Sequence, residues 1–326
     1  MHRKNILLAA TLVLGARVAG AAGIGVIPAM NPAPAPSVGA AVLAPRALSA
    51  DTPLRSLTFV AMDVETLGFW PEVHPLIEVG AAKFRLDEQG RAVVSDVHHS
   101  FANPHAPVPE NIGTLTGITP AMLEGAPDAR PAIRALEDFA READVLMAHS
   151  AFFDTQYAVA NGFSLGTPVV DTKALARRFY DGERTSLERL ATALGTGDPQ
   201  ARAHRAHNDA AATAPVFAGL LGKLADSLGK EIAALTWGDL ASHAKTYYGP
   251  KVREEAFSAR PGDPTKADLD VSTEAKKREL WEEVHRVQFE LYKAGRPNSL
   301  RNIARAMGVS YDALVEACRG IPTKIH

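Results

Sequence analysis

The sequence predicts an α/β sandwich on a mixed sheet, flanked by helices and followed by a C-terminal helical extension. Three β-rich runs follow one another from Leu57, with Gln89-Gly90 as a hairpin turn between the second and third. After that meander, segments of helical spacing alternate with short apolar runs, the pattern of crossovers onto one sheet. Beyond about residue 225 only helical periodicity is evident.

Taken in order, "LTFVAMDVE", "LIEVGAAKFRL" (Leu76 to Leu86) and "AVVSDVHHSF" (Ala92 to Phe101) are the three strands. A loop with Pro104, Pro107 and Pro109 follows. "RPAIRALEDFAREA" is a helix leading into a fourth strand, "DVLMAH". "FFDTQYAVANGF" is a helix, "TPVVDT" a fifth strand, and "TKALARRFY", "SLERLATALG" and the stretch after Asn208 are helices. Pro215 falls inside the last of these and is expected to bend it. "STEAKKRELWEEVHRVQFELYKAG" reads as an amphipathic helix with Leu280, Val284, Val287 and Leu291 on one side. "SLRNIARAMGVSYDALVEACR" reads as helix, turn at Gly308, helix. Its spacing suits a DNA-reading helix-turn-helix, but Asp312 and Glu316 on the second helix would repel phosphates, which favours a packed helical hairpin.

The domain boundaries follow. Residues 1–29 have a basic start, an apolar stretch from Ile6 to Gly15 and a small-residue site at Ala19-Gly20-Ala21, the layout of a secretory signal peptide or anchor. Arg17 interrupts the run, so stable membrane insertion is not expected. An over-extended start in an alanine-rich region explains the same pattern equally well. Residues 30–56 are rich in Pro, Ala and Ser and read as a linker that buries little. Residues 57–225 form the α/β domain and 226–326 the helical extension, with "ARPGDPTKAD" (Ala259 to Asp268) as a linker before the last helices.

Of the 326 residues, 46% are hydrophobic and 22% charged, an ordinary globular composition. The formal net charge of −2 means that any nucleic-acid site is local, or that its phosphates are neutralised by metal. Cys318 is the single cysteine, which excludes an internal disulfide and a cysteine-based zinc site.

The informative stretch is "FVAMDVETLG", a buried strand that ends in two carboxylates. Asp63 and Glu65 are two apart and face the same way. Held side by side they repel and lose hydration, and a divalent cation is the usual compensation. Alone, so short a motif also fits an exposed acidic turn. Two further acids open helices: Asp154 in "AHSAFFD" and Asp209 in "HRAHND". Four oxygen-donating carboxylates suit Mg²⁺ or Mn²⁺ rather than zinc. His204 stands five residues before Asp209, about 140° round a helix, so it must lie on the loop that precedes the helix. Its unperturbed pKa near 6.5 suits proton abstraction. His207 nearby reads as a solvent-exposed or capping residue; Arg177, Arg178, Arg202 and Arg205 could touch phosphates but read better as solvated surface.

With these motifs in place the sequence resembles the DEDDh exonucleases, the DnaQ-like group that includes the proofreading subunits of bacterial replicative polymerases. The resemblance rests on "FVAMDVETLG", "AHSAFFD" and "HRAHNDA", with His204 and Asp209 in the H-x₄-D register. "IEVGAAKF", the Asn103 to Pro127 loop, "VVDTKALARR" and "SLERLATALG" agree with it, so that it covers roughly residues 57 to 225. Leu67 and Ser150 depart from the residues many relatives carry, Thr and Asn.

The resemblance implies an RNase H-like sheet and a metal-dependent 3′→5′ exonuclease that releases nucleoside monophosphates, DNA being expected over RNA. It implies two Mg²⁺ or Mn²⁺ ions held by Asp63, Glu65, Asp154 and Asp209, with His204 as general base. Thr66, Leu67, His149 and Phe153 are expected beside the terminal nucleotide. The implied partners are a single-stranded or 3′-ended nucleic acid and a polymerase or other protein, with the C-terminal helices as a further contact surface. The function favours the cytoplasm, whereas the N-terminus leaves a periplasmic or exported location open. The alternative is a catalytically inactive nucleic-acid-binding or regulatory module on the same fold.

Overall fold

The computed structural model describes residues 48–164, 166–197, 203–267 and 269–319. The signal or anchor expected over residues 1–29, the first part of the linker, Arg202 and Asp268 lie outside the described residues.

The chain enters the sheet with β1 (Phe59–Thr66), β2 (Leu76–Leu86) and β3 (Ala92–Phe101). The short helices α1 (Glu110–Thr116) and α2 (Pro120–Leu123) fold the proline loop, and α3 (Ala129–Ala140) leads to β4 (Val145–Ala148). Then come α4 (Ala151–Ala160), β5 (Pro168–Asp171), α5 (Thr172–Ala176), α6 (Leu187–Ala193) and the long α7 (Ala206–Leu228). Pro215 lies within α7, which continues past it. The strand order is β3-β2-β1-β4-β5-β6, where β6 (Thr246–Tyr248) follows α8 (Trp237–His243). Strands β1, β2 and β3 pair antiparallel, β1, β4 and β5 parallel, and β5 with β6 antiparallel, the mixed sheet expected of an RNase H-like fold.

Strand alternation sorts β1 between two cores. Phe59 and Ala61 face the cluster under α7, where Phe59 lies 5.2 Å from Phe84 and 5.5 Å from Phe217 between ring centroids. Val60, Met62 and Val64 face the opposite cluster, with Ile133 and Leu136 of α3 and Tyr157 of α4. Asp63 and Glu65 therefore continue the α7 face.

Two sequence expectations are corrected. The linker does not extend to residue 56, because Leu54 is 1% exposed and its N–H donates to Leu235 O at 3.0 Å. A strand does occur after residue 225: β6 is too short to give a period and is recruited by pairing with β5. Its helices α8 and α9 (Gly249–Phe257) are equally part of the sandwich, Leu240 joining one core and Val252 the other.

The last three helices are α10 (Glu274–Lys293), α11 (Leu300–Met307) and α12 (Tyr311–Arg319). They form a packed hairpin on α10, as the acidic second helix suggested, and close over Trp70 of the loop after β1, which is fully buried. Trp281 meets Trp70 edge-on at 5.8 Å, and Tyr311 donates to Glu72 at 2.9 Å. The segment before α10 is not a loose linker: Asp263 accepts from Arg305 Nε at 2.6 Å and from Arg301 at 3.3 Å.

Candidate active site

The site is built where the first turn of α7 meets β1 and β2. Asp63 and Glu65 stand opposite Gly80 and Glu78 across the β1–β2 pair. Gly80 lets the helix come down onto the sheet, since a Cβ there would lie 2.1 Å from the backbone of Ala206 and His207. Glu78, fully buried, then fastens the helix. It accepts from Arg205 Nε at 3.1 Å and Nη2 at 2.9 Å, and from the Ala206 N–H at 3.0 Å. Burial pushes the Glu78 carboxyl up, but these hydrogen bonds outweigh it and hold it below its usual value. Asp209, on the same turn, is thereby brought to Glu65.

His204 lies on the loop just before α7, as the spacing demanded, and is exposed. Its backbone takes the left-handed conformation, φ 59°, and its N–H donates to Asp209 Oδ2 at 3.0 Å. Glu65, His204 and Asp209 bring one ligand atom each within 4.8 Å of one another. Asp154 enters from the first turn of α4 and accepts from the Val64 N–H at 3.3 Å.

The electrostatics mark the four acids as a unit. Burial first, then the neighbouring carboxylates, push Glu65 up to about 8. Burial also raises Asp154 to about 8, with Asp171 and Asp209 adding, and Asp209 to about 6. Asp63, under the same burial and flanked by Asp154 and Glu65, is raised well above its usual value. Such a set is unstable in its ionised form unless a cation shares it, and its all-oxygen chemistry fits a hard divalent ion.

The four neighbours expected at the terminal nucleotide are placed as follows. Thr66 is buried and its hydroxyl donates to Gly68 O. Leu67 packs among Ile77, Ile118 and Leu123. His149 is held at both ring nitrogens, Nε2 donating to Thr185 O at 2.7 Å and Nδ1 paired with the Thr172 hydroxyl at 2.9 Å. Phe153 is half-buried, 5.2 Å from the Tyr157 ring.

Sequence reasoning overlooked Glu78 and misjudged Arg205, which is not solvated surface but the partner of Glu78. An acid in the middle of the apolar run "LIEVGAA" was the available signal, because a buried charge needs a partner. His207 is likewise half-buried rather than solvent-exposed, facing Glu78 at 3.4 Å and the His99 ring at 4.6 Å.

This sheet edge, with its acidic cluster and adjoining histidine, is a site whose ligand atoms could hold a metal ion. Residues 60–217 match the family described as Exonuclease. The chain is 36% identical over 178 residues to the DNA polymerase III subunit epsilon-like protein of Rhodobacter capsulatus, covering 53% of this chain and 25% of that protein. It is 33% identical over 177 residues to the PolC-type DNA polymerase III of Thermotoga petrophila, covering 53% of this chain and 12% of that one. The chain thus spans a quarter or less of the length of these two relatives. Among solved structures, exonuclease X bound to 5′-overhanging duplex DNA aligns with 21% identity and a TM-score of 0.40, over 56% of this chain and 99% of that one. The nuclease domain of 3′hExo bound to rAMP aligns with 18% identity and a TM-score of 0.43, over 51% of this chain and 92% of that one.

Proposed function

We propose that the chain is a metal-dependent 3′→5′ exonuclease that releases nucleoside monophosphates from a nucleic-acid strand, DNA being preferred to RNA. The observation that carries this reading is the gathering of Glu65, His204 and Asp209 at one point, beside the raised carboxyls of Asp63 and Asp154. The match of residues 60–217 to the Exonuclease family and the polymerase-associated names of the relatives support it. Asp63, Glu65, Asp154 and Asp209 would hold two Mg²⁺ or Mn²⁺ ions. When bound, such ions lower the pKa of water and offset charge on the phosphoryl group.

The protein's own part is positional. Asp63 and Glu65 are fixed by the β1–β2 register, Asp154 by the Val64 N–H, and Asp209 by the seating of α7 on Gly80. His204, exposed and tethered through its N–H to Asp209, accepts the proton of the attacking water. A polymerase or other protein is the partner the relatives suggest.

The test uses single-stranded DNA, duplex DNA and RNA, each labelled at the 5′ end. The reading expects stepwise shortening from the 3′ end with Mg²⁺ or Mn²⁺ and none with EDTA. Shortening that persists in EDTA, or internal cleavage, overturns it.

A further inference from the structure

The active site presents four carboxylates to a polyanion, in a chain of net charge −2. Cations must be supplied locally to hold such a substrate, and α10 gathers them. This helix lies outside the exonuclease match, yet it touches both segments that flank the acids. Near its middle, His285 packs edge-on against Phe69, four residues beyond Glu65, at 5.6 Å. Two turns later Tyr292 accepts from the Arg177 guanidinium, which also lies 4.5 Å over its ring, and Lys173 lies 5.9 Å above the same ring.

The spans agree. Phe69 follows β1 and Lys173 follows β5, two strand positions apart, or about 10 Å. His285 to Tyr292 is seven residues of helix, again about 10 Å. The second half of α10 therefore crosses the edge of the sheet at which Asp63, Glu65 and Asp154 sit. Its position is fixed from within by Val284, Val287 and Leu291 on Trp70, and at its end by Lys245, which donates to Gly295 O at 2.7 Å.

The outer face of this bridge is unusual for a soluble surface. Phe289 is 55% exposed and Phe69 49%, both large apolar rings. Phe289 lies one turn from His285, on the stripe that carries Tyr292. Neither Lys173 nor Arg177 has a carboxylate partner within ion-pair distance among the described residues, and Lys173 lies within electrostatic reach of Asp154 and Asp171. Exposed aromatic rings beside cations that lack a carboxylate partner are the two components of a single-strand platform: bases stack on the rings and phosphates meet the cations.

We propose that α10 is part of the substrate site, a ledge on which Phe289 and Phe69 stack unpaired bases while Lys173 and Arg177 bind phosphates of the strand entering the acidic cluster. This rests on the nuclease reading above for what lies at the strand's end. Duplex is excluded from the ledge because its bases are already stacked.

The test uses the full chain. Binding of 5′-fluorescent oligothymidylate is read by anisotropy, with Ca²⁺ replacing Mg²⁺ to suppress turnover. Hydrolysis of the p-nitrophenyl ester of thymidine monophosphate, too small to reach the ledge, is read separately with Mn²⁺. Phe289→Ala is expected to weaken strand binding by about 5- to 150-fold, the worth of one stacked base, and to affect the small ester far less. Arg177→Gln is expected to lower the slope of log K against log salt by about 0.7. Lys276→Ala, on the first turn of α10, serves as the control and binds as the parent does. Phe289 being exposed, its replacement leaves the melting temperature in place. The proposal is overturned if Phe289→Ala binds the strand as the parent does, if it loses strand and ester activity equally, or if it alters the oligomeric state instead. Failure of the parent to cleave the ester with any divalent ion would sink the nuclease reading alone, since the strand-binding comparison still decides the ledge.

Discussion

Arg205 and Glu78 form a two-pronged ion pair, Nε and Nη2 of the guanidinium both reaching Oε1, with the carboxylate fully buried. The pair stands one residue from His204 and four from Asp209, so it sets where α7 begins. Its strength is positional as much as energetic, because a buried pair gains little over a well-packed apolar substitute. Removing one member is different. Glu78→Ala leaves the guanidinium and the Ala206 N–H without their acceptor, and is expected to cost about 3 to 5 kcal/mol in chemical denaturation. The same variant is expected to lower turnover of labelled strands even where it remains folded. Full stability and full activity in Glu78→Ala would show that the pair positions nothing.

The acidic cluster opposes folding in the absence of cations. Asp63→Asn removes one of four mutually repelling, buried carboxyls, so the variant is expected to melt higher than the parent in EDTA. It is expected to lose nearly all activity, and much of the stabilisation that Mn²⁺ gives the parent. Calorimetry with and without metal checks both arms. A lower melting temperature in EDTA would mean that the cluster is compensated from within the chain.

The two histidines of "AHRAHND" are expected to separate cleanly. His204→Ala removes the base and is expected to cut the rate by about 10² to 10⁴, with metal binding retained by the four acids. His207 is turned to Glu78 and His99, so His207→Ala is expected to stay within a few-fold of the parent. The opposite ranking would show that the register of the loop is misread.

His149 links stability to pH. Burial lowers it to about 4, even though its hydrogen bond to Thr185 O acts in the other direction. The unfolded chain takes up this proton near pH 6.5 and the folded chain only near 4. Between those values the unfolded state holds more protons, so stability falls as pH falls through that window, by up to about 3 kcal/mol. Above pH 6.5 the residue contributes no pH dependence. Denaturation at pH 7 and pH 4.5 is expected to show a smaller difference in His149→Asn than in the parent; equal differences would dismiss the assignment.

The part of the molecule legible in the sequence is the part in which period and chemistry coincide. Apolar runs gave β1, β2, β4 and β5; acids at the end of one such run drew notice to Asp63 and Glu65, and acids opening helices to Asp154 and Asp209. His204 was placed on its loop by helix geometry alone, and the structure puts it there. What escaped was long-range. β6 is three residues whose strand character comes from β5, 76 residues earlier at the Thr246–Val170 pairing. Leu54 reads as linker until Leu235 and Trp237 are folded against it. Arg205 looks like any surface arginine until Glu78 is seen beneath it, 127 residues away in sequence.

The closure of α10, α11 and α12 over Trp70 also gives the molecule a built-in optical reporter. Of three tryptophans, Trp70 and Trp281 face each other across the tail, whereas Trp237 belongs to the core under α7. Lifting the tail would wet the first pair and leave the third dry. A red shift of part of the emission, at denaturant concentrations where the far-ultraviolet signal of the sheet is unchanged, would therefore time the departure of the tail separately from unfolding of the nuclease core.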